Sequence, residues 1–406
     1  MIAYNQTVIN NISILKKARK WYALNLLKRD QLELANKKYP MNIYNPNLFI
    51  KIGLFIFTLF AILALLGLFA LFFFTGRNSL DGEKLFSIVA PIIFTVACIF
   101  TLEKFIKAKM IYRSGVDEAL LYAAIVFLYS ALYFMINYVS PKFTENDLLL
   151  LLLIIFPFIA FAAIRYIDTI VTIAAFIIFY AIWFLFILKI GTVAKLIMPF
   201  AMMILSILIY RVVKKQQLNS KLIGWKNGLI TCEAIAMIVF YLAGNYFVIR
   251  ESSIEFFNLE LSKGEDVPLA ILFYVFTAIV PIIYIYLGLN KKNKISLWIG
   301  LLLVVLSALT FKYYFSLGHP EISLTIAGII MIAIAYVSIR YLKTDKHGIT
   351  FKEEIDEDNF LKTNAEALAI VQTFSHTGDA NQEVVQGNKD TFGGGNFGGA
   401  GSGSDF

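Results

Sequence analysis

Charged residues are scarce in this chain of 406 residues. Only 16% of the residues are Asp, Glu, Lys or Arg, whereas 59% are hydrophobic and 37 are phenylalanine. The mean hydropathy is +0.73. Because a bilayer offers the backbone no hydrogen-bond partners, long apolar runs in such a chain predict transmembrane helices, whose N–H and C=O groups pair within the segment.

Cysteine and histidine are also rare, and this limits the chemistry that the chain supports. Cys98 and Cys232 lie inside apolar runs, so they indicate neither a disulfide framework nor a zinc site. The three histidines, His319, His347 and His376, lie in a predicted outer loop and in the C-terminal segment, away from any position expected of a membrane acyltransferase base. The stretch "GGGNFGG" lacks the strand, helix and Lys-Ser/Thr pair of a phosphate-binding loop. We therefore predict no catalytic residue, no metal and no cofactor.

Ten apolar runs approach or exceed the length that a bilayer requires, about 17 to 25 residues. Most of the connecting segments are short, so successive helices should be antiparallel neighbours. The predicted fold class is an all-α, polytopic transmembrane helix bundle that occupies residues 48–342. The ten predicted spans are 52–75, 85–102, 120–139, 148–164, 169–188, 196–210, 229–248, 268–289, 295–311 and 322–339.

The distribution of Lys and Arg predicts the orientation of the bundle. With the N-terminus inside, 28 of the 36 Lys and Arg residues fall in the inner segments and 8 in the outer loops. Cytoplasmic loops retain cations during insertion, so both termini are predicted to be cytoplasmic. The net charge of +8 then reflects membrane orientation, and we predict no nucleic-acid partner, which would need a folded basic face.

The N-terminal segment, residues 1–47, is polar and basic. Apolar residues recur at helical spacing through Ile12, Leu15 and Trp21, and Asp30 precedes Glu33 as in a capping box, so we predict a cytoplasmic helical hairpin. This hairpin could rest on anionic lipid headgroups, where each cation contributes about 1 kcal/mol. Alternatively, it could be a docking module for another protein.

The C-terminal segment is acidic and ends in glycine. Residues 343–375 contain "EEIDED" and a short predicted helix, and residues 376–406 end in "DTFGGGNFGGAGSGSDF". Glycine makes ordering of this tail costly, so we expect a disordered terminus unless a partner binds it. Its candidate docking residues are Phe392, Phe397 and Phe406, and a partner could hold the tail by strand addition or by binding the terminal carboxylate.

Two stretches carry a resemblance to known proteins. "ARKWYALNLLKRDQLELANKKYP" and "AKMIYRSGVDEALLYAAIVFLYSALYF" together resemble an uncharacterised family of bacterial membrane proteins with a cytoplasmic hairpin before a many-helix bundle. The sequence departs from that pattern because no glycine lies near 25–27, where the hairpin turns. The glycine-rich tail is similar to those of envelope proteins from Bacteroidota. The resemblance implies a bacterial inner-membrane location and assigns no reaction.

Ionisable residues inside a span are candidates for function because their placement there is costly. Glu233 is the carboxylate that lies clearly inside an apolar run, and Lys226 lies seven residues earlier on nearly the same helix face. The pair could form a proton or cation site. Alternatively, Glu233 could be an interfacial acid that reaches the cytoplasmic surface. Arg165 and Asp168 are predicted to form a local ion pair in an inner turn.

An uncharged polar face lies on the third predicted span. Tyr122, Tyr129, Tyr133 and Asn137 share one side of a helix. Such a face could form hydrogen bonds between helices, or it could line a substrate cavity. The outer segment 250–267 partly alternates polar and apolar residues, which favours an extended or hairpin cap, with a ligand-sensing loop as the alternative.

These features favour a multi-pass protein of a bacterial inner membrane with a non-enzymatic scaffold, assembly or sensing role in the cell envelope. Its predicted partners are the lipid bilayer and a protein that binds the C-terminal tail. A transporter or lipid-substrate carrier is the alternative, because four spans contain proline. An enzyme acting on a lipid-linked substrate, with Asp81 and Glu83, comes third.

Overall fold

The computed structural model confirms an all-α polytopic bundle. It describes residues 2–23, 25–40, 44, 46–74, 80–109, 111–191, 193–257, 266–291 and 293–314, together with 325, 328, 329, 332, 336 and 340. The α-helices in this part of the chain are α1 (Gln6–Ala23), α2 (Arg29–Lys38), α3 (Leu48–Phe74), α4 (Leu80–Lys109), α5 (Val116–Val139), α6 (Glu145–Tyr166), α7 (Thr169–Leu188), α8 (Ala194–Gln217), α9 (Lys226–Gly244), α10 (Tyr246–Phe257), α11 (Ala270–Asn290) and α12 (Lys294–Tyr314).

Nine helices among the described residues are long and apolar enough to cross a membrane. They are α3 to α9, α11 and α12, and they correspond to the first nine predicted spans. The tenth predicted span, 322–339, lies largely outside the described residues, as do the acidic segment 343–375 and the glycine-rich tail 376–406.

The bundle is built from neighbouring antiparallel pairs. The pairs α4 with α5, α6 with α7, α8 with α9 and α11 with α12 pack closely, and α3 lies against α4 and α5. Helix α9 is central to the second half, because it also contacts α7, α10, α11 and α12. Helix α9 is therefore the helix that most of the second half packs against.

Local sequence signals explain where helices begin. Thr144 and Asp147 form a capping box at the start of α6, with the Thr144 amide donating to Asp147 Oδ2 over 2.8 Å. Asp168 caps α7 by accepting from the amide of Val171 over 2.8 Å. Asn25 takes a positive φ of 57° in the turn between α1 and α2, the position where a glycine was expected.

Two local predictions are corrected by the structure. Asp30 and Glu33 do not form the predicted capping box. The N-terminus of α2 is capped instead by the Gln31 side chain, which accepts from the Lys28 amide over 2.9 Å, and Glu33 pairs with Arg29. The outer segment begins as a helix, since α10 extends to Phe257, so its first part is not an extended cap. The reason is the cap at Asn245, which accepts from the Val248 amide over 3.3 Å and starts a new helix. Residues 258–265 lie outside the described part.

Candidate functional site

One end of the bundle gathers most of the ion pairs. We call it the inner end and define it by Lys51, Arg113, Arg165, Lys214 and Lys291, because the Lys and Arg distribution predicts that it faces the cytoplasm. The opposite end is called the outer end.

A buried carboxylate ties the N-terminus to the inner end. Asp117 accepts hydrogen bonds from Tyr4 Oη over 3.0 Å, from the amides of Arg113 and Ser114 over 2.9 Å each, and from Ser114 Oγ over 3.0 Å. Burial, followed by the charge of Asp117, raises the pKa of Tyr4 well above its ordinary value. Asp117 is therefore fully occupied by structural donors.

The same loop brings α3 against α5. Gly115 has a φ of +94°, and a Cβ at this position would lie 2.2 Å from the backbone oxygen of Lys51. Lys51 Nζ in turn pairs with Glu118 Oε1 over 2.6 Å. The glycine is thus required both by its backbone conformation and by the approach of α3.

Arg165 and Asp168 do not form the predicted local ion pair. Arg165 Nε binds Glu103 Oε1 over 2.7 Å and so joins α6 to α4. Asp168 caps α7 and accepts from Tyr122 Oη over 3.0 Å. A helix cap and a hydroxyl donor satisfy Asp168, so the carboxylate has no need of the nearby guanidinium.

The four polar residues of the third predicted span do not share one environment. Tyr122 is bound to Asp168, whereas Tyr129 is exposed and stacks on Tyr133, with ring centroids 6.3 Å apart. Asn137 is half-buried near the outer end of α5. None of these four residues lines the two cavities described below.

Glu233 is fully buried and is held by three side chains. Lys214 Nζ lies 2.6 Å from Glu233 Oε1, Gln217 Nε2 donates to Oε2 over 2.8 Å, and Asn293 Nδ2 donates to Oε1 over 3.0 Å. The structure thus pairs Glu233 with Lys214 from α8 rather than with Lys226, which is exposed. These contacts join α8, α9 and the segment before α12 at the inner end.

A cavity of about 960 Å³ begins beside these contacts and runs toward the middle of the bundle. Helix α9 forms its floor through Ala236, Met237 and Phe240, while α8 and α11 form its walls. Helix α10 contacts α8, α9 and α11 beyond it, at the outer end. We call this space the large cavity.

The large cavity is polar at one end and apolar along its length. Lys214, Lys291 and Asn293 line it at the inner end, and Phe276 and Val280 line it deeper in the bundle. Its lining also includes residues that are partly exposed at the side of the bundle, Ile207 of α8 at 40% and Ile283 of α11 at 45%. The large cavity therefore has a cationic mouth and apolar walls that reach the lipid-facing surface.

A second cavity of about 290 Å³ lies nearer the outer end, between α7, α8, α9 and α10. It is lined by Tyr180, Met198 and Pro199, among others. The Tyr180 and Ser206 hydroxyls lie 3.2 Å apart, and Ser206 lines the large cavity. This hydrogen bond therefore lies between the two spaces.

A neutral polar network holds the outer end of α9. Asn245 Nδ2 donates to Tyr241 Oη over 3.0 Å and to Thr310 Oγ1 over 3.1 Å, so the break between α9 and α10 is tied to α12. Asn245, Tyr241 and Thr310 satisfy one another, which is typical of a structural network. Beside this network, Tyr246 Oη donates to Asp266 Oδ1, and burial, followed by this hydrogen bond, raises the pKa of Tyr246 above its ordinary value.

The partners of Glu233 were not identified from the sequence, although a weak signal exists. Lys214 lies in "RVVKK" and Asn293 lies in "NKKNK", and both stretches are at the predicted inner end, like Glu233. The orientation therefore limits the candidates, but packing selects the partner. Among the described residues no group of His, Cys, Asp and Glu is arranged to hold a metal. The candidate docking residues Phe392, Phe397 and Phe406 lie outside the described part.

Comparisons with protein-family models, with curated proteins and with solved structures found no match for this chain. Its function is therefore inferred from the cavity and the residues around it.

Proposed function

We propose that this membrane protein is a carrier for a lipid-like amphiphile, which it binds in the large cavity. The observation that carries the proposal is a space of about 960 Å³ with polar groups at its inner end and apolar side chains along its walls. Ligand pockets in proteins typically enclose about 300–1,000 Å³. The volume is thus sufficient for an elongated molecule with a polar head and an apolar chain.

The side of the bundle offers a route for such a ligand. Ile207 and Ile283 belong to the lining and are partly exposed on helices that are apolar enough to lie in lipid. An amphiphile could therefore enter from the bilayer without crossing water. Its polar head would remain at the inner end, near Lys214 and Lys291.

The floor of the large cavity is fixed before any ligand binds. Tyr284 Oη donates to the backbone oxygen of Met237 over 3.2 Å, and Asn293 Nδ2 donates to Ser296 Oγ over 3.0 Å. A preformed site loses little conformational entropy on binding. The second cavity is a separate space nearer the outer end, so the proposal rests on the large cavity alone.

The proposed setting is a bacterial inner membrane, as the resemblance described above implies. Both termini are proposed to be cytoplasmic, as the Lys and Arg distribution predicts.

A photoactivatable long-chain alkyl diazirine tests the proposal on the purified full-length protein. Ile283→Trp places a larger side chain in the lining and should reduce labelling of peptides from α9 and α11 at least several-fold. Ile282→Trp is the matched control, because Ile282 is its neighbour, is 62% exposed and does not line the cavity. Equal labelling of both variants would contradict the proposal.

A scaffold, assembly or sensing role in the envelope is the second candidate, and one observation favours it. None of the residues of α2 is buried, and Leu34 is exposed at 65%. An exposed apolar side chain on a basic helix is suited to contact with another protein. Purification from native membranes with Leu34→Glu tests this role: loss of a specific co-purifying protein would favour it, and an unchanged set would oppose it.

A further inference from the structure

We infer that the amphiphile carries a head group with a single negative charge, and that this head group binds at the mouth of the large cavity between Lys291 and Lys214. The inference rests on the proposed function, since it names the class of ligand that the same cavity takes. Suitable groups are a phosphodiester and a carboxylate, and the two are separated by the experiment below.

The charges at the mouth do not cancel. Lys214 and Lys291 both line the cavity, and Glu233 is the carboxylate beside them. Glu233 lies 2.6 Å from Lys214 and so offsets one positive charge. Among the described residues Lys291 has no carboxylate partner within ion-pair distance, and it is exposed. The mouth therefore carries a net charge of about +1, which one anionic group complements.

Glu233 cannot reverse this preference. It is fully buried, and its two oxygens accept from Lys214, Gln217 and Asn293. A cationic head group at the mouth would meet Lys291 without reaching the carboxylate. Amphiphiles with a positive head group should therefore bind worst.

Lys214 is oriented so that part of its ammonium group remains available. Its Nζ lies 2.6 Å from Glu233 Oε1 and 5.8 Å from the centroid of the Tyr210 ring. An ammonium group has three N–H donors, and the contact with one Glu233 oxygen leaves others for a ligand. Tyr210 lines the same cavity, and a tyrosine hydroxyl can also donate to an anion.

The Asn293 side chain does not contribute to the discrimination between head groups. Asn293 Nδ2 donates to Glu233 and to Ser296, so both of its N–H groups are already used. Asn293 therefore holds the carboxylate in place, and discrimination between head groups depends on Lys291 and Lys214. Lys291 is the better position to test, because replacing Lys214 would leave Glu233 without its cation.

Competition against the alkyl diazirine tests the inference with four compounds of equal chain length: a fatty acid, an alkyl methyl phosphate, a fatty alcohol and an alkyl trimethylammonium. At least one anionic compound should compete about tenfold better than the alcohol, the scale of one charge-assisted hydrogen bond. The ammonium compound should compete worst. Preference for the carboxylate would indicate a fatty acid as the source, and preference for the phosphodiester would indicate a phospholipid.

Lys291→Gln should remove the difference between the anionic compounds and the alcohol while leaving competition by the alcohol unchanged. Lys294→Gln is the matched control, because Lys294 is exposed nearby on α12 but does not line the cavity.

Three results would overturn the inference while leaving the proposed function intact: equal competition by anion and alcohol, a preference that survives Lys291→Gln, or an equal loss in Lys294→Gln. The proposed function itself would fail if the diazirine labelled Ile283→Trp as strongly as the unaltered protein.

Discussion

Asp117 and Glu233 are buried carboxylates with different surroundings. Asp117 accepts from two backbone amides and one hydroxyl of the loop before α5, and from the hydroxyl of Tyr4 near the N-terminus. Glu233 accepts from two side chains of α8 and from Asn293, which precedes α12, and its partner Lys214 lines the large cavity. The first carboxylate fixes a loop, and the second fixes the wall of a site.

Replacement of Gly115 by alanine should be severely destabilising. The φ of +94° disfavours any L side chain, and the new Cβ would meet the Lys51 backbone. We expect a loss of about 2 kcal/mol or more, seen as a lower midpoint of thermal unfolding in detergent. Gly53→Ala is the control, because its Cβ would meet nothing within 4 Å and helix propensity should leave it neutral or more stable. Equal midpoints for the two variants would contradict this account of the loop.

Replacement of Glu233 by alanine should destabilise the inner end. It removes the acceptor that Lys214, Gln217 and Asn293 share, and the loss of a hydrogen bond to a charged group costs about 1.5–3 kcal/mol. Glu233→Gln keeps the shape and one acceptor oxygen, so it should lower the midpoint of thermal unfolding less. A glutamine variant as unstable as the alanine variant would indicate that the charge of Glu233 matters more than its hydrogen bonds.

At the scale of helices, the contact between α11 and α12 depends on two glycines. A Cβ at Gly288 would lie 2.7 Å from the backbone nitrogen of Leu297, and a Cβ at Gly300 would lie 2.9 Å from that of Ile285. Small residues allow such close approach between transmembrane helices, where packing replaces the hydrophobic effect. This contact positions the α11 wall of the large cavity.

Gly300→Ala should therefore push α12 away from α11 and weaken both stability and ligand binding. The midpoint of thermal unfolding should fall by an amount corresponding to about 1–3 kcal/mol, and diazirine labelling of α11 should decrease. Gly67→Ala is the matched control, since its Cβ would have open space. If Gly300→Ala matched Gly67→Ala in both measurements, the close contact would not be needed.

Apolar runs predicted the spans well because length and composition alone decide whether a helix can lie in lipid. The break at Asn245 was not predicted, since one asparagine within an apolar run is a weak signal. Only the structure shows that Asn245 caps α10 and also binds Tyr241 and Thr310. The Lys214 partner was missed for a related reason. Lys226 is closer to Glu233 in sequence, but the turn after α8 brings Lys214 back against it.

At the scale of the whole molecule, the contacts between helices agree with the prediction that successive loops alternate between the inner and the outer end. Ion pairs and hydrogen bonds join the ends of α3 with α5, α4 with α6, and α8 with α9 at the inner end. Which side of the membrane this end faces is a proposal from the Lys and Arg distribution.

Cysteine labelling in intact cells tests that orientation. Lys142→Cys and Lys226→Cys replace two exposed lysines at opposite ends of the bundle, and the native Cys98 and Cys232 are buried. An impermeant maleimide should label Lys142→Cys strongly and Lys226→Cys only after the membrane is opened. The reverse pattern would place the cationic mouth on the outer side.

Native mass spectrometry of the protein purified from its own membrane tests the central claim most directly. The account predicts one bound amphiphile per chain. This ligand should be retained in Ile282→Trp and lost in Ile283→Trp, because of these two residues only Ile283 lines the large cavity. A chain without bound amphiphile, or equal occupancy in the two variants, would contradict the claim that this cavity is a ligand site.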